Sequence, residues 1–199
     1  MNDFSDTYLS ISAPSKGIYK ELGSKFLALA YPVETEEEAK NIISAVRKEH
    51  FDARHHCYAW RLGLTGEPYR QSDDGEPSST AGRPILGQLL SRELSDVLVV
   101  VVRWFGGVKL GVPGLIRAYR TATQEALSAA SVIEKVAGEH FIIEFGYMQM
   151  NDVMKVLKDM GITPLRQDFD LSCRIEVKVR LSQIEDFRKQ LAFCQINIK

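Results

Sequence analysis

The sequence predicts a mixed α/β (α+β) protein of two domains, and three observations predict it. Apolar residues recur at helical spacing in some stretches and at strand spacing in others. The elements run β-β-α-β-α-β-α up to about residue 131, then β-α-β-β-α-β from about residue 138, and the second order is the ferredoxin-like pattern. Between residues 131 and 138 the rhythm changes, which places a boundary between an N-terminal domain, 1–131, and a C-terminal domain, 138–199.

In the first domain, Gly17–Glu21 and Ser24–Tyr31 read as strands of a hairpin turning at Gly23. Thr35 and Glu38 form a capping-box pair ahead of Ala39, Ile42, Ile43 and Val46, so a helix follows and ends near His50. His55–Leu62 is a strand of aromatic and small residues. From Gly63 to Gly82 the chain is polar and rich in Gly, Ser, Pro and Asp, and it reads as a long loop of the kind that usually carries function. Arg83–Leu94 is helical, with Ile85, Leu86, Leu89 and Leu90 on one side. Val97–Phe105 is apolar on both faces, as a strand in mid-sheet must be. After the turn GGVKLGVPG the helical pattern returns from Leu115 to Ala130.

In the second domain, His140–Gly146 alternates Phe141, Ile143 and Phe145 against His140 and Glu144. Asn151–Met160 is a short helix stopped by Gly161. Ile162–Phe169, interrupted by Pro164, reads as an edge strand. Cys173–Leu181 alternates strictly and turns Arg174, Lys178 and Arg180 away from the helices as a solvated charged face. Ser182 and Glu185 open a further capping box, and a last strand runs through Ile196 and Ile198.

A chain of 199 residues can bury a real core, and 45% apolar with 26% charged residues is an ordinary globular balance. The net charge of −1 provides no global attraction for nucleic acid or membrane, so any such binding must come from a local patch. Cys57, Cys173 and Cys194 are few and scattered, as in a reducing compartment. The start of the chain lacks a secretory pattern and the longest apolar run, Val97–Val102, is too short to span a bilayer, so the expected location is cytoplasmic, with no membrane partner.

Three segments could carry chemistry. In DARHHCYAW (52–60), adjacent strand residues point to opposite faces, so only His55 and Cys57 share a side; no metal-ligand spacing and no catalytic context for a cysteine nucleophile results. Neither a metal nor any other cofactor is expected. SDDGEP (72–77) gathers Asp73, Asp74 and Glu76 around a glycine without the ligand order of a calcium loop, and it is either acidic turn chemistry or a contact for a partner. RWFGGVKLGVPGLIRAYR (103–120) holds the strongest signal. Gly106, Gly107, Gly111 and Gly114 lead into a helix start, where free N–H groups favour an anion. Arg103, Lys109, Arg117 and Arg120, with Trp104, Phe105 and Tyr119 between them, supply cations for phosphate and faces for stacking. Equally, the glycines make a tight strand-to-helix turn and the aromatics are core. The turn is neither a P-loop nor a dinucleotide fingerprint.

The blocks ARHHCYAWRLG (53–63), SDDGEPSSTAGRPIL (72–86) and VVVRWFGGVKLGVPGLIRAY (100–119) together resemble the IMPACT family, and the tail resembles the additional domain of its bacterial YigZ-type branch. The resemblance implies a first domain shaped like a small-subunit ribosomal protein domain and domain IV of elongation factor G, and a second like domain V of that factor. It also implies a link to translation, because eukaryotic relatives regulate translation by competing for an activator of the kinase that phosphorylates initiation factor 2. Pro113 and Ser79 depart from the family pattern, each standing where glycine is expected, and Pro113 removes one N–H from the anion site. The expected function is a translation-associated binding protein, not an enzyme, that contacts ribosome or structured RNA through the glycine-rich turn. The alternatives are a regulator using the acidic 63–82 loop on a protein partner, and a nucleotide-dependent enzyme with a pocket behind the glycines.

Overall fold

The computed structural model describes residues 6–169, 173–194 and 196. They form two compact units: one spans Tyr8–Lys135, and the other joins Asp6 and Thr7 to the described residues from Val136 onward. Among the described residues no helix is long and apolar enough to cross a membrane.

The larger unit contains, apart from the end residues Thr7 and Val136, in order β1 (Thr7–Ile11), β2 (Ser15–Glu21), β3 (Ser24–Pro32), α1 (Glu36–Glu49), β4 (His55–Arg61), β5 (Tyr69–Ser72), α2 (Gly82–Ser91), β6 (Val97–Trp104), α3 (Gly111–Ser128) and β7 (Val132–Val136). An antiparallel sheet runs β2-β3-β6-β4-β5, while β1 and β7 pair separately. β6 lies at its centre, which explains its two apolar faces. Val97, Val99 and Val101 pack with residues of α2 and α3, whereas Leu98, Val100 and Val102 pack with Ala39, Ile43 and Val46 of α1. Each such fully buried side chain stabilises the fold by roughly 1.5–3 kcal/mol. α3 lies so close to β2 that a Cβ on Gly17 would sit 2.3 Å from the Ala126 nitrogen. Only glycine fits there.

α1 starts where its cap requires. Thr35 Oγ1 accepts from the Glu38 N–H at 3.1 Å, but Glu38 Oε2 accepts from the N–H of Glu34 at 2.7 Å, one residue ahead of the cap. Three glutamates in its first turn and Arg47 and Lys48 in its last complement the helix dipole.

The smaller unit contains β8 (Gly138–Phe145), α4 (Met150–Asp159), β9 (Pro164–Phe169), β10 (Cys173–Arg180) and α5 (Ile184–Phe193). Its antiparallel sheet runs β8-β10-β9, so β9 is an edge, as Pro164 requires. The inward residues of β8 and β10 pack on Val153, Leu157, Phe187 and Leu191 of the two helices. Of the expected last strand, Ile196 is buried in this core, and Ile198 lies outside the described residues.

Five elements differ from the sequence reading. Tyr69–Ser72 is a strand inside the expected loop; it is an edge strand with mostly exposed side chains and thus has no apolar alternation to detect. β1 lies ahead of the first expected strand, and β7 occupies the expected connection, with both apolar and charged residues exposed. α3 begins at Gly111 rather than Leu115, because Pro113 is tolerated within a first helical turn. Ser182 does not cap α5: a 3-10 turn intervenes, and the Ser182 hydroxyl donates to Asp6 Oδ2 at 2.6 Å.

Candidate functional site

The site grows from the paired ends of β4 and β6, where His55 lies opposite Arg103 and Cys57 opposite Val101. The acidic loop folds over these ends. Asp73 Oδ1 accepts from the N–H groups of Ala81 and Gly82 at 3.0 and 2.8 Å, and its Oδ2 from Ser79 at 2.8 Å. It therefore caps α2, whose own N-cap, Ala81, has no side chain to do so. Asp74 Oδ1 pairs with Arg47 at 2.6 Å, its Oδ2 accepts from the His56 N–H at 2.6 Å, and its carbonyl meets His55 Nδ1 at 2.9 Å.

Glu76 goes deepest, with its side chain only 3% exposed. Its Oε1 accepts from Arg103 Nη1 at 2.6 Å and from the Tyr119 hydroxyl at 2.7 Å. Burial, reinforced by Cys57 and the Glu76 charge, pushes the Tyr119 phenol far up, so it stays protonated and donates. Burial likewise pushes the Cys57 thiol up. That thiol lies 3.0 Å from the Asp73 carbonyl and 3.3 Å from the Tyr119 hydroxyl, shut inside the core. A buried, protonated thiol is a poor nucleophile.

The glycine-rich turn follows. Gly106 packs against the β2–β3 hairpin so tightly that an added Cβ would meet the Gly23 carbonyl carbon at 2.0 Å, and its N–H donates to Ser24 Oγ at 3.1 Å. Gly107 and Gly111 hold φ of +87° and +70°, the left-handed region that glycine enters without strain. Gly114 is buried in the first turns of α3. α3 has no side-chain cap and no acidic residue in its first turn. Beside this bare helix start is a cavity of about 450 Å³ whose lining includes Arg54, His55, Glu76, Arg103, Phe105 and Lys109. A larger groove of about 970 Å³ runs between α2 and α3, with Tyr69, Arg83, Gln88, Leu90 and Arg120 along it and no carboxylate. Val112 lines both, so they adjoin.

The structure disperses the expected cation cluster. Arg103 is buried against Glu76, with its guanidinium 5.4 Å from the Phe26 ring and 5.7 Å from the Phe105 ring. Lys109 lines the cavity, Arg120 lines the groove, and Arg117 turns to Glu21 of β2. Arg117 and Arg120 are three residues apart on α3, yet neighbours on either side of the helix draw them to different surroundings. Tyr119 is a core residue and Trp104 is covered by Lys25 and Asp52, so Phe105, 45% exposed, is the aromatic of this turn left for a ligand. The three loop carboxylates are not presented outward either: Asp73, Asp74 and Glu76 are spent on the cap, on Arg47 and His56, and on Arg103 and Tyr119. Sequence reasoning missed Arg54, Tyr69 and Arg83, which carry no spacing signal because they sit on a strand end, an edge strand and a helix start. Among the described residues no group of three metal-ligating side chains converges.

The family model of the Impact N-terminal domain matches residues 22–127, which include the acidic loop, the glycine-rich turn and most of α3. The chain is 30% identical over 189 residues to the IMPACT family member YigZ of Escherichia coli, covering 94% of this chain and 93% of that protein. It is 33% identical over 170 residues to an IMPACT family member of Haemophilus influenzae, covering 84% and 82% of the two chains. The crystal structure of a hypothetical protein superposes with a TM-score of 0.75 at 28% identity over 98% of this chain and 97% of that one.

Proposed function

This chain belongs to the IMPACT family, and from that premise we propose that it is a cytoplasmic, translation-associated regulatory binding protein that contacts the ribosome or structured RNA. The contact runs along the groove between α2 and α3 and onto the start of α3. One observation carries this reading: the groove presents Arg83 and Arg120, an exposed Tyr69 and several amide and hydroxyl side chains, with no carboxylate along it. Cations for phosphate beside an aromatic face suit a nucleic-acid backbone. Lys109 and the uncapped amides of α3 extend the same surface. The family resemblance supplies the link to translation.

The acidic-loop alternative loses its support, because the carboxylates it needs are bonded internally. The cavity beside Gly111 is the observation that favours the other alternative, a nucleotide-dependent enzyme. Co-sedimentation with ribosomes at physiological salt tests the reading, with filter binding to structured RNA across a salt series. Binding that weakens steeply as salt rises is expected. Failure to co-sediment, with RNA affinity flat across the series, removes it.

A further inference from the structure

Among the described residues, three polar atoms around the cavity at the start of α3 have no hydrogen-bond partner in the protein, and of these Arg103 Nε is fully buried. Both bonds to Glu76 land on Oε1, and Oε2 receives none. The Asp74 carbonyl can only accept, so His55 Nδ1–H donates to it and Nε2 is the ring nitrogen left for a ligand. That nitrogen is 4.0 Å from Glu76 Oε1, beyond hydrogen-bond reach. Arg103 Nε is buried without a partner, and the whole Arg103 side chain is 6% exposed. Natural interiors rarely leave a buried atom such as Arg103 Nε unpaired, whereas Glu76 Oε2 and His55 Nε2 open to the cavity.

The chemistry of these atoms defines a ligand. Glu76 Oε2 accepts, as does His55 Nε2 in the Nδ1–H tautomer, and both residues line the cavity, so two neighbouring donors suit them. A cation is disfavoured, since Arg54, Arg103 and Lys109 outnumber the single carboxylate of the lining. Two adjacent hydroxyls fit. On the same lining, Lys109, Arg54 and the amides of Gly111 and Val112 at the uncapped start of α3 form a place for an anion. Phe105, Leu110 and Leu115 supply an apolar wall against which a ring can lie. The volume of about 450 Å³ suits a small organic ligand.

We propose that this cavity binds a ribonucleotide, its ribose 2′- and 3′-hydroxyls donating to Glu76 and His55 and its 5′-phosphate seated at the start of α3. The ligand is either a free 5′-mononucleotide or the 3′-terminal nucleotide of an RNA, which share the vicinal diol and the 5′-phosphate. The site shares Lys109 and the start of α3 with the proposed RNA surface, whose further backbone contacts lie in the groove at Arg83 and Arg120, so mononucleotide binding is read apart from binding of longer RNA. The 2′-hydroxyl is the group that separates RNA from DNA.

The test titrates the full-length wild-type protein with AMP, 2′-deoxy-AMP and adenosine, following the His55 ring and backbone amides by NMR. A trinucleotide with a free 3′ end and the same trinucleotide 3′-phosphorylated complete the set. Saturable binding of AMP is expected, weakened about tenfold by loss of the 2′-hydroxyl. Lys109→Ala, an exposed position, should weaken AMP several-fold and leave adenosine unchanged. AMP binding assigns a free nucleotide; binding confined to the trinucleotide with a free 3′ end assigns an RNA terminus. If neither AMP nor that trinucleotide binds at millimolar concentration, or if 2′-deoxy-AMP binds as well as AMP, the proposal is overturned, whatever the groove does with longer RNA.

Discussion

The five-stranded sheet of the larger unit is covered on both faces and ends in a buried polar cluster, whereas the three-stranded sheet of the smaller unit buries one face and leaves the other charged. The same residue types do opposite work in the two places. On β10, Arg174 and Glu176 meet at 3.2 Å in solvent, and Arg180 meets Asp6 at 3.6 Å. At the end of β6, Arg103 and Glu76 meet at 2.6 Å with almost no water. A charge pair in solvent costs little to break, but one buried pair organises everything around it. The difference separates charges that stay in solvent from charges that shape a site.

Removing one partner on each side is the sharpest way to break that comparison. Glu76→Ala leaves Arg103 charged and buried without a counterion, and should cost about 3–5 kcal/mol in urea denaturation. Glu176→Ala should cost under about 0.5 kcal/mol. Equal midpoints for the two variants would show that the buried cluster contributes nothing special. Asp73→Ala, which deprives three N–H groups of their acceptor, should fall between, at about 1–2 kcal/mol, with faster amide exchange at Ser79, Ala81 and Gly82.

The thiols sharpen the contrast further. Cys57 is fully buried and its pKa is pushed up, while Cys194 is partly exposed. Thiol reagents at neutral pH should therefore label Cys194 at least roughly a hundredfold faster, since Cys57 reacts only when the fold opens. Comparable rates would mean that the cluster is open to solvent. The smallest effect concerns Asp6, whose carboxyl is held below the usual range chiefly by the Ser182 hydroxyl, with the Ser182 N–H and Arg180 assisting. A depressed folded pKa contributes stability that is complete above the unfolded value of about 3.9 and is lost as pH falls through the folded value. Asp6→Asn should thus narrow the gap in stability between pH 6 and pH 2. An unchanged gap would remove Asp6 from the acid response.

How much of this was legible depended on whether a residue acts through periodicity. β6 was readable because two apolar faces leave one interpretation, and α1 because Thr35 and its stripe of Ala39, Ile43 and Val46 agree. On β10 the alternation announced both faces. β1, β5 and β7 were missed because strands with few buried side chains leave no pattern. The site was legible as a place and not as an arrangement. The glycines marked the turn, yet nothing in the order of residues says that Arg103 turns inward to a carboxylate 27 positions away or that Arg117 is taken by Glu21, 96 positions away. Those pairings are made by the topology that sets β6 beside β4 and α3 across β2.

The proposed nucleic-acid surface lies on the larger unit at Lys109 and Arg120, not on the charged face of β10. Filter binding of one structured RNA across a salt series decides it with two double variants, Lys109→Glu with Arg120→Glu and Arg174→Glu with Lys178→Glu. The first pair should abolish most binding and lower the salt slope by about two phosphate contacts, and the second should track the wild type. Loss of binding in the β10 pair, with the Lys109 and Arg120 pair behaving as wild type, would contradict the account.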